Sequence, residues 1–245
     1  MSRDEKYRRD AGMIQDFDFG LDTVRVFDDM IDRSVPFYQE IQRMIGEIAS
    51  EFAAPFSSVY DLGCSTGNTL QALDASIGED VLLVGLDASE EMLVKARQKF
   101  MEAPLRHELS LQKINLEGDF SIENASVVVL NLTLQFIRPM FREALIQKIA
   151  RGTRPQGCLI LIEKVLSEDS SLNRLFIRNH YALKRRNGYS EMEISRKREA
   201  LENILIPYHE AENKALLARN GFRRMETFFR WYNFSGLIAL RDEQT

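Results

Sequence analysis

The sequence is short of the residues that most often announce chemistry. Its 245 residues include two cysteines, three histidines and a single tryptophan. Cys64 stands in a glycine turn and Cys158 in an apolar run, which gives neither a disulfide framework nor metal-ligand spacing, and a reducing cytoplasm suits such a chain. His107, His180 and His209 lie in no context that pairs one of them with a nucleophile. No apolar run approaches membrane-spanning length, and the opening Met1-Ser2-Arg3-Asp4-Glu5-Lys6 is charged where a signal peptide needs an apolar stretch. A soluble, unprocessed, cytoplasmic protein is expected. Excess basic charge is absent too: the net charge of −5 leaves no electrostatic footprint for nucleic-acid phosphates, so neither a nucleic acid nor a membrane is expected as a direct partner.

What is present is core-forming material, 44% of the residues being hydrophobic. One α/β domain over residues 1–245 is expected, with an N-terminal arm and helices over 1–54 and a helical insertion over 165–206. The chain is organised around Ser58-Val59-Tyr60-Asp61-Leu62-Gly63-Cys64-Ser65-Thr66-Gly67, which reads as a buried strand, a glycine turn and the start of a helix carrying Leu70 and Leu73. Gly63 accepts a tight turn, and Thr66 or the backbone beyond it opens a helix whose free N–H groups face a ligand crevice. The same residues also fit the G-x-S-x-G elbow of serine hydrolases, or a purely structural turn. Position argues against the elbow, because a single strand precedes Ser65. Asp87 supports nucleoside binding: it closes the apolar run Val81–Leu86, 24 residues after Gly63, where an acid accepts both ribose hydroxyls.

Residues 1 to about 20 read as an arm over the site. From Thr23 to Phe52 apolar residues recur at three and four, predicting two helices broken at Ser34-Val35-Pro36, with Ser34 capping the second. Tyr38, early in that helix, is a core aromatic or a ligand contact. Ser89 caps a helix to about Phe100, Leu109–Ile114 is a third strand, and Ala125–Leu132 is a central parallel strand ending in Asn131, at the edge where such sheets bind ligands. A helix from Pro139 follows, then a turn at Pro155-Gln156-Gly157 into a strand from Cys158 to Lys164. Residues 168–206 read as charged helices with a capping box at Ser190 and Glu193, either solvated, hanging over the crevice or packed against a second subunit. A helix from Glu212 to Asn220 stops at Gly221, and strands Phe222–Trp231 and Phe234–Leu240 close the chain as a hairpin that puts one antiparallel strand into the sheet.

That arrangement resembles the Rossmann-like class I fold of S-adenosyl-L-methionine-dependent methyltransferases, and the D-x-G-x-x-x-G spacing favours adenosylmethionine over a dinucleotide. A more specific resemblance rests on Asp29-Met30-Ile31, Arg33-Ser34-Val35-Pro36 with Tyr38, Tyr60-Asp61-Leu62-Gly63-Cys64-Ser65, Val128-Val129-Leu130-Asn131 with Thr133-Leu134-Gln135-Phe136, and Asn187-Gly188-Tyr189-Ser190-Glu191 through Lys197-Arg198. In these blocks the sequence is similar to the carboxy-S-adenosyl-L-methionine synthase family. The resemblance implies that S-adenosyl-L-methionine and prephenate give carboxy-S-adenosyl-L-methionine, phenylpyruvate and water, the product serving wobble-uridine modification of tRNA by another enzyme. It implies a homodimer. Hydroxide leaving prephenate would take the acidic methyl proton, which suits a site with no obvious histidine. By the same resemblance Tyr38, Gly63, Cys64, Ser65, Asp87, Ala88, Asn115, Leu116, Asn131 and Arg198 surround the cofactor. Backbone groups of Gly63–Ser65 would hold its amino-acid part, Asp87 the ribose, and Asn115 and Leu116 the adenine. Arg198 would carry the chemistry by gripping the installed carboxyl, from this chain or from a partner subunit. The family pattern has Asn in place of Ala88 and an Asp-Ile pair near Asn115-Leu116. An ordinary methyltransferase and a non-catalytic nucleoside-binding partner of a tRNA-modifying enzyme remain the alternatives.

Overall fold

A computed structural model describes Asp4 and residues 20–242. The rest of the expected N-terminal arm lies outside the described residues. Two helices, α1 (Leu21–Ser34) and α2 (Tyr38–Phe52), lead into an alternating β1 (Ser57–Leu62), α3 (Asn68–Ser76), β2 (Val81–Asp87), α4 (Glu90–Glu102) and β3 (Leu109–Lys113). Then come β4 (Ala125–Asn131), a short 3-10 turn Leu134–Phe136, α5 (Pro139–Gly152), β5 (Thr153–Lys164), α6 (Ser170–Arg186), α7 (Glu191–Leu201), α8 (Glu210–Arg219), β6 (Arg224–Trp231) and β7 (Phe234–Leu240). The strands form one seven-stranded sheet in the order β3-β2-β1-β4-β5-β7-β6, with β7 antiparallel to both of its neighbours.

Alternation of side chains along the central strands supplies two cores. Val59, Val127, Val129, Ile160 and Ile162 face Ile41 and Ile45 of α2 and Leu70 and Leu73 of α3. Leu62, Val128, Leu130, Leu159 and Leu161 face Leu145 and Ile146 of α5 and Leu216 and Leu217 of α8. A strand covered on both faces reads as an unbroken apolar run, which is why β4 is legible as central. Each fully buried Leu or Ile stabilises the fold by roughly 1.5–3 kcal/mol. The chain leaves β1 toward β3 and returns to β4 on the other side, so the carboxyl ends of β1 and β4 splay apart at a topological switch point. Open sheets of this kind bind ligands there.

Two expected boundaries are corrected. Ser34 ends α1 instead of capping α2, because Val35 precedes a proline and is held in extended backbone (φ −99°, ψ 127°), which stops a helix. Its hydroxyl is in any case taken by Lys197 Nζ at 2.9 Å. α3 begins at Asn68 after Gly67 at φ 82°, in the backbone just beyond Thr66, as expected. β5 starts at Thr153 and runs through the expected turn, with an irregularity in its register against β4 that puts Gln156 at φ 66°. No helix among the described residues is long and apolar enough to cross a membrane.

Candidate functional site

The carboxyl ends of β1, β2 and β4 open into a cavity of about 1060 Å³, roofed by α1, the residues after α7 and the turn after β4. That volume is at the upper end for small-molecule sites and accommodates a nucleoside with a second small molecule beside it. Of the expected residues, Tyr38, Gly63, Cys64, Ser65, Asp87, Ala88, Asn115, Leu116 and Asn131 all line it. Arg198 does not. It is exposed on α7, outside this chain's own cavity, and the preceding residue, Lys197, lines the wall.

Gly63 is at φ 79°, and a Cβ there would sit 2.5 Å from Thr133 Oγ1, so the turns after β1 and β4 approach too closely for any other residue. The neighbouring bends use non-glycine residues in left-handed backbone, Ser65 at φ 48° and Leu132 at φ 61°. Asp87 fastens the first bend. Its carboxylate accepts the backbone N–H of Ser65 at 2.9 Å and of Ser89 at 2.8 Å, while Gly63 and Cys64 donate their N–H groups to the Leu86 carbonyl at 2.7 and 3.1 Å. These bonds narrow one expectation, that backbone groups of this turn hold the amino-acid part of the cofactor. The N–H donors of Gly63–Ser65 are already used, so this turn has carbonyl oxygens to offer and suits the ammonium of an amino acid better than its carboxylate. Asn115 likewise spends its side-chain oxygen on the N–H of Glu117 at 3.0 Å, leaving the amide nitrogen for a ligand.

Beneath this end of the cavity two buried acceptors lack partners among the described residues, Asp61 Oδ2 on β1 and Asn131 Oδ1 on β4. The Asn131 amide nitrogen donates to Thr69 Oγ1 at 3.2 Å, which fixes the oxygen's direction. Burial, helped by the negative charge of Asp87, pushes the Asp61 carboxyl up to about 8, and burial also raises Asp87 despite its backbone donors. Unmet acceptors and strained acids at the ends of two adjacent strands fit a ligand that brings positive charge and N–H donors. S-adenosyl-L-methionine, with its sulfonium and ammonium, is such a ligand. Tyr38 is buried over the same end, hydrogen-bonded by the Asn68 amide at 3.4 Å, and burial raises its hydroxyl far above the usual phenol range.

The opposite end has the opposite charge. Lys164, His180, Lys184 and Lys197 line it together with the apolar Phe27, Met30 and Phe234. His180 is buried, donates Nε2–H to the Ser34 carbonyl at 2.8 Å, and is kept neutral chiefly by burial and then by the nearby lysines. Lys184 is pushed well below the usual lysine range by burial and by Lys197 and Lys164. The expectation of a site without a histidine is thus corrected.

These cations are held by a knot between the start and the late part of the chain. Arg33 donates from Nε to the Asn187 carbonyl at 2.8 Å and from Nη1 to Asp29 at 3.0 Å, and lies 4.1 Å over the Tyr189 ring. Asn187 Nδ2 returns a bond to the Arg33 carbonyl at 2.9 Å. Asp4, also buried here, accepts the Tyr189 hydroxyl and lies 3.8 Å from Lys197 Nζ.

The protein-family model "Methyltransferase domain" matches residues 59–157. The carboxy-S-adenosyl-L-methionine synthase of Methylococcus capsulatus is 50% identical over 98% of this chain and all of its own length; that of Desulfotalea psychrophila is 43% identical over 96% of both chains. The chain belongs to the carboxy-S-adenosyl-L-methionine synthase family. Solved structures agree on the class I methyltransferase fold. An O-methyltransferase family protein from Burkholderia thailandensis superposes with a TM-score of 0.65 at 18% identity, covering 93% of this chain and 62% of its own. Human N-acetylserotonin methyltransferase, solved with S-adenosylmethionine, gives 0.60 at 15% identity over 90% and 55%.

Within this synthase-family chain, sequence reasoning passed over Lys164, His180, Lys184 and Lys197. A signal existed for Lys164, which ends β5 as Asn131 ends β4. His180 and Lys184 are four apart on α6 and therefore share a face, yet inside a charged run that spacing looks like a solvated surface. Arg142 was also missed. Fully buried on α5, it donates to the Ile137 and Ile206 carbonyls at 2.8 and 2.6 Å and so ties the cavity roof to the turn after β4.

Proposed function

We propose that the protein converts S-adenosyl-L-methionine and prephenate into carboxy-S-adenosyl-L-methionine, phenylpyruvate and water. The reading is carried by the late block Asn187–Arg198, which is alike in sequence to the synthases and is folded here onto the open side of the nucleoside cavity, where it contributes Lys197 to the wall. Atoms balance without an added reagent. The ring carboxyl carbon of prephenate leaves its C–C bond, the electron pair restores aromaticity and expels hydroxide, hydroxide removes a methyl proton to become water, and the methyl carbon bonds the released carboxyl. The chain's residues position and shield. Asp87 and the Ser65 turn hold the ribose side, Asp61, Asn131 and the turn carbonyls meet the ammonium, and the Tyr38, Met30 and Phe234 wall excludes water.

Arg198 has a place in this reading across a homodimer. Its guanidinium is exposed on α7 with no ion-pair partner among the described residues, which supports its gripping the installed carboxylate in the cavity of a second copy. The reducing cytoplasm suits the two buried free thiols, Cys64 and Cys158. Incubation of the purified protein with S-adenosyl-L-methionine and prephenate, followed by mass analysis of the nucleoside, should show a gain of CO2. Unchanged nucleoside, or adenosylhomocysteine formed with a methyl acceptor, overturns the reading. Arg198→Ala should lose most carboxy-product formation and keep adenosylmethionine binding. Mixing it with a variant disabled at Asp87 should restore activity in the heterodimer only if the cation acts across subunits.

A further inference from the structure

Among the described residues, the cationic end of the cavity holds more lysines than acids. Lys164, at the last position of β5, and Lys184, buried on α6, have no ion-pair partner among the described residues, and Lys197 joins them from α7 on the anchor of Ser34 Oγ at 2.9 Å. Three lysines drawn from three separate elements line one apolar-walled space, where mutual repulsion and burial disfavour their charged forms in the absence of an anion. Asp4, 3.8 Å from Lys197, is the carboxylate that the described residues bring to them. Such a cluster is poorly explained by folding and well explained by an anion that arrives as ligand. Phe234 beside it, 5.0 Å from the His180 ring, adds an aromatic side chain to the wall.

We infer that Lys164 and Lys184 form a carboxylate subsite for the second substrate, and that the carboxylate they hold is the side-chain one that stays on the product, not the ring carboxyl that is transferred. This rests on the synthase reading above. The choice between the two carboxylates follows from catalysis as differential binding. A cation fixed on the departing carboxylate would stabilise the ground state and slow the loss of the carboxyl carbon, whereas one on the retained carboxylate binds substrate and transition state alike and orients the ring. The retained group also keeps its charge throughout, which suits fixed lysines.

Lys184→Met and Lys164→Gln are the variants to make, with phenylpyruvate as the probe that carries only the retained carboxylate. The inhibition constant of phenylpyruvate and the KM for prephenate should both rise by about tenfold or more and by the same factor, while adenosylmethionine affinity measured by calorimetry shifts less than twofold. Lys184→Arg should recover part of the loss, which a purely structural role would not give. If prephenate KM rises and phenylpyruvate inhibition does not, the lysines hold the departing carboxylate and the assignment is overturned. If neither variant changes either constant while the unsubstituted protein makes the carboxy product, the subsite is wrong and the synthase reading stands. If the unsubstituted protein makes no such product, both fall.

Discussion

The two ends of the cavity are built by different means. At the nucleoside end the walls are strand termini, and the polar groups are tied to nearby backbone: Asp87 to the N–H groups of Ser65 and Ser89, Gly63 and Cys64 to the Leu86 carbonyl. At the cationic end the walls are side chains from segments about 150 residues apart in sequence, held by Arg33 with Asn187 and by Ser34 with His180 and Lys197. The first is local, made between strand ends and turns that are neighbours in the sheet. The second joins the first helix to the late block, and it is the end proposed above to hold the second substrate. If the ends are separable, damage to one should leave the other's affinity intact.

The largest effect is expected at Asp87. Replacing it by alanine removes charged acceptors and frees the Ser65 turn, and hydrogen bonds to charged groups contribute about 1.5–3 kcal/mol each, so adenosylmethionine affinity should fall about a hundredfold or more. Asp87→Asn should lie between the two. Calorimetric titration gives both values. A loss under threefold for the alanine variant would show that the carboxylate serves the turn alone. Arg33→Ala comes next, and it strikes the other end. Loss of its bonds to Asn187 and Asp29 and of its stacking on Tyr189 should cost about 2–4 kcal/mol of stability, read in a denaturant titration. The second-substrate KM should rise while adenosylmethionine affinity shifts less than twofold. Equal loss at both ends would show that the two are one mechanical unit.

The same contrast governs what the sequence discloses. Period-two burial, glycine at a turn and an acid at a strand end are local patterns, so the seven strands, the Gly63 bend, Asp87 and Asn131 could all be read from spacing. The 3-10 turn and the early start of β5 could not, because each is decided by a neighbour distant in the chain: Glu163 accepts the N–H groups of Leu134 and Gln135, and Thr153 pairs with Ala125. Tyr38 and the late block carried no reliable signal of their own, and resemblance alone singled them out. The lysines were hidden for the opposite reason: a charged helix normally faces water, and nothing in residues 170–197 says that one stripe is turned onto a cavity.

Protonation sharpens the comparison with the smallest effect. Burial and the charge of Asp87 hold the Asp61 carboxyl up at about 8 against an ordinary value of 3.8, so without a ligand the folded protein binds a proton there that the unfolded chain has released. Stability at this group is therefore full below pH 3.8 and declines as pH rises from 3.8 through about 8. A ligand that brings an ammonium to Asp61 favours the ionised form, so adenosylmethionine affinity should rise with pH up to about 8 and its binding near neutrality should release protons, measurable by calorimetry in buffers of different ionisation enthalpy. Asp61→Asn should flatten both profiles and cost affinity chiefly at the alkaline end. Phenylpyruvate inhibition, governed by the lysine end, should keep its own pH dependence in that variant. A parallel change in both ligands would mean that the charge at Asp61 is felt across the whole cavity and that its two ends do not titrate independently.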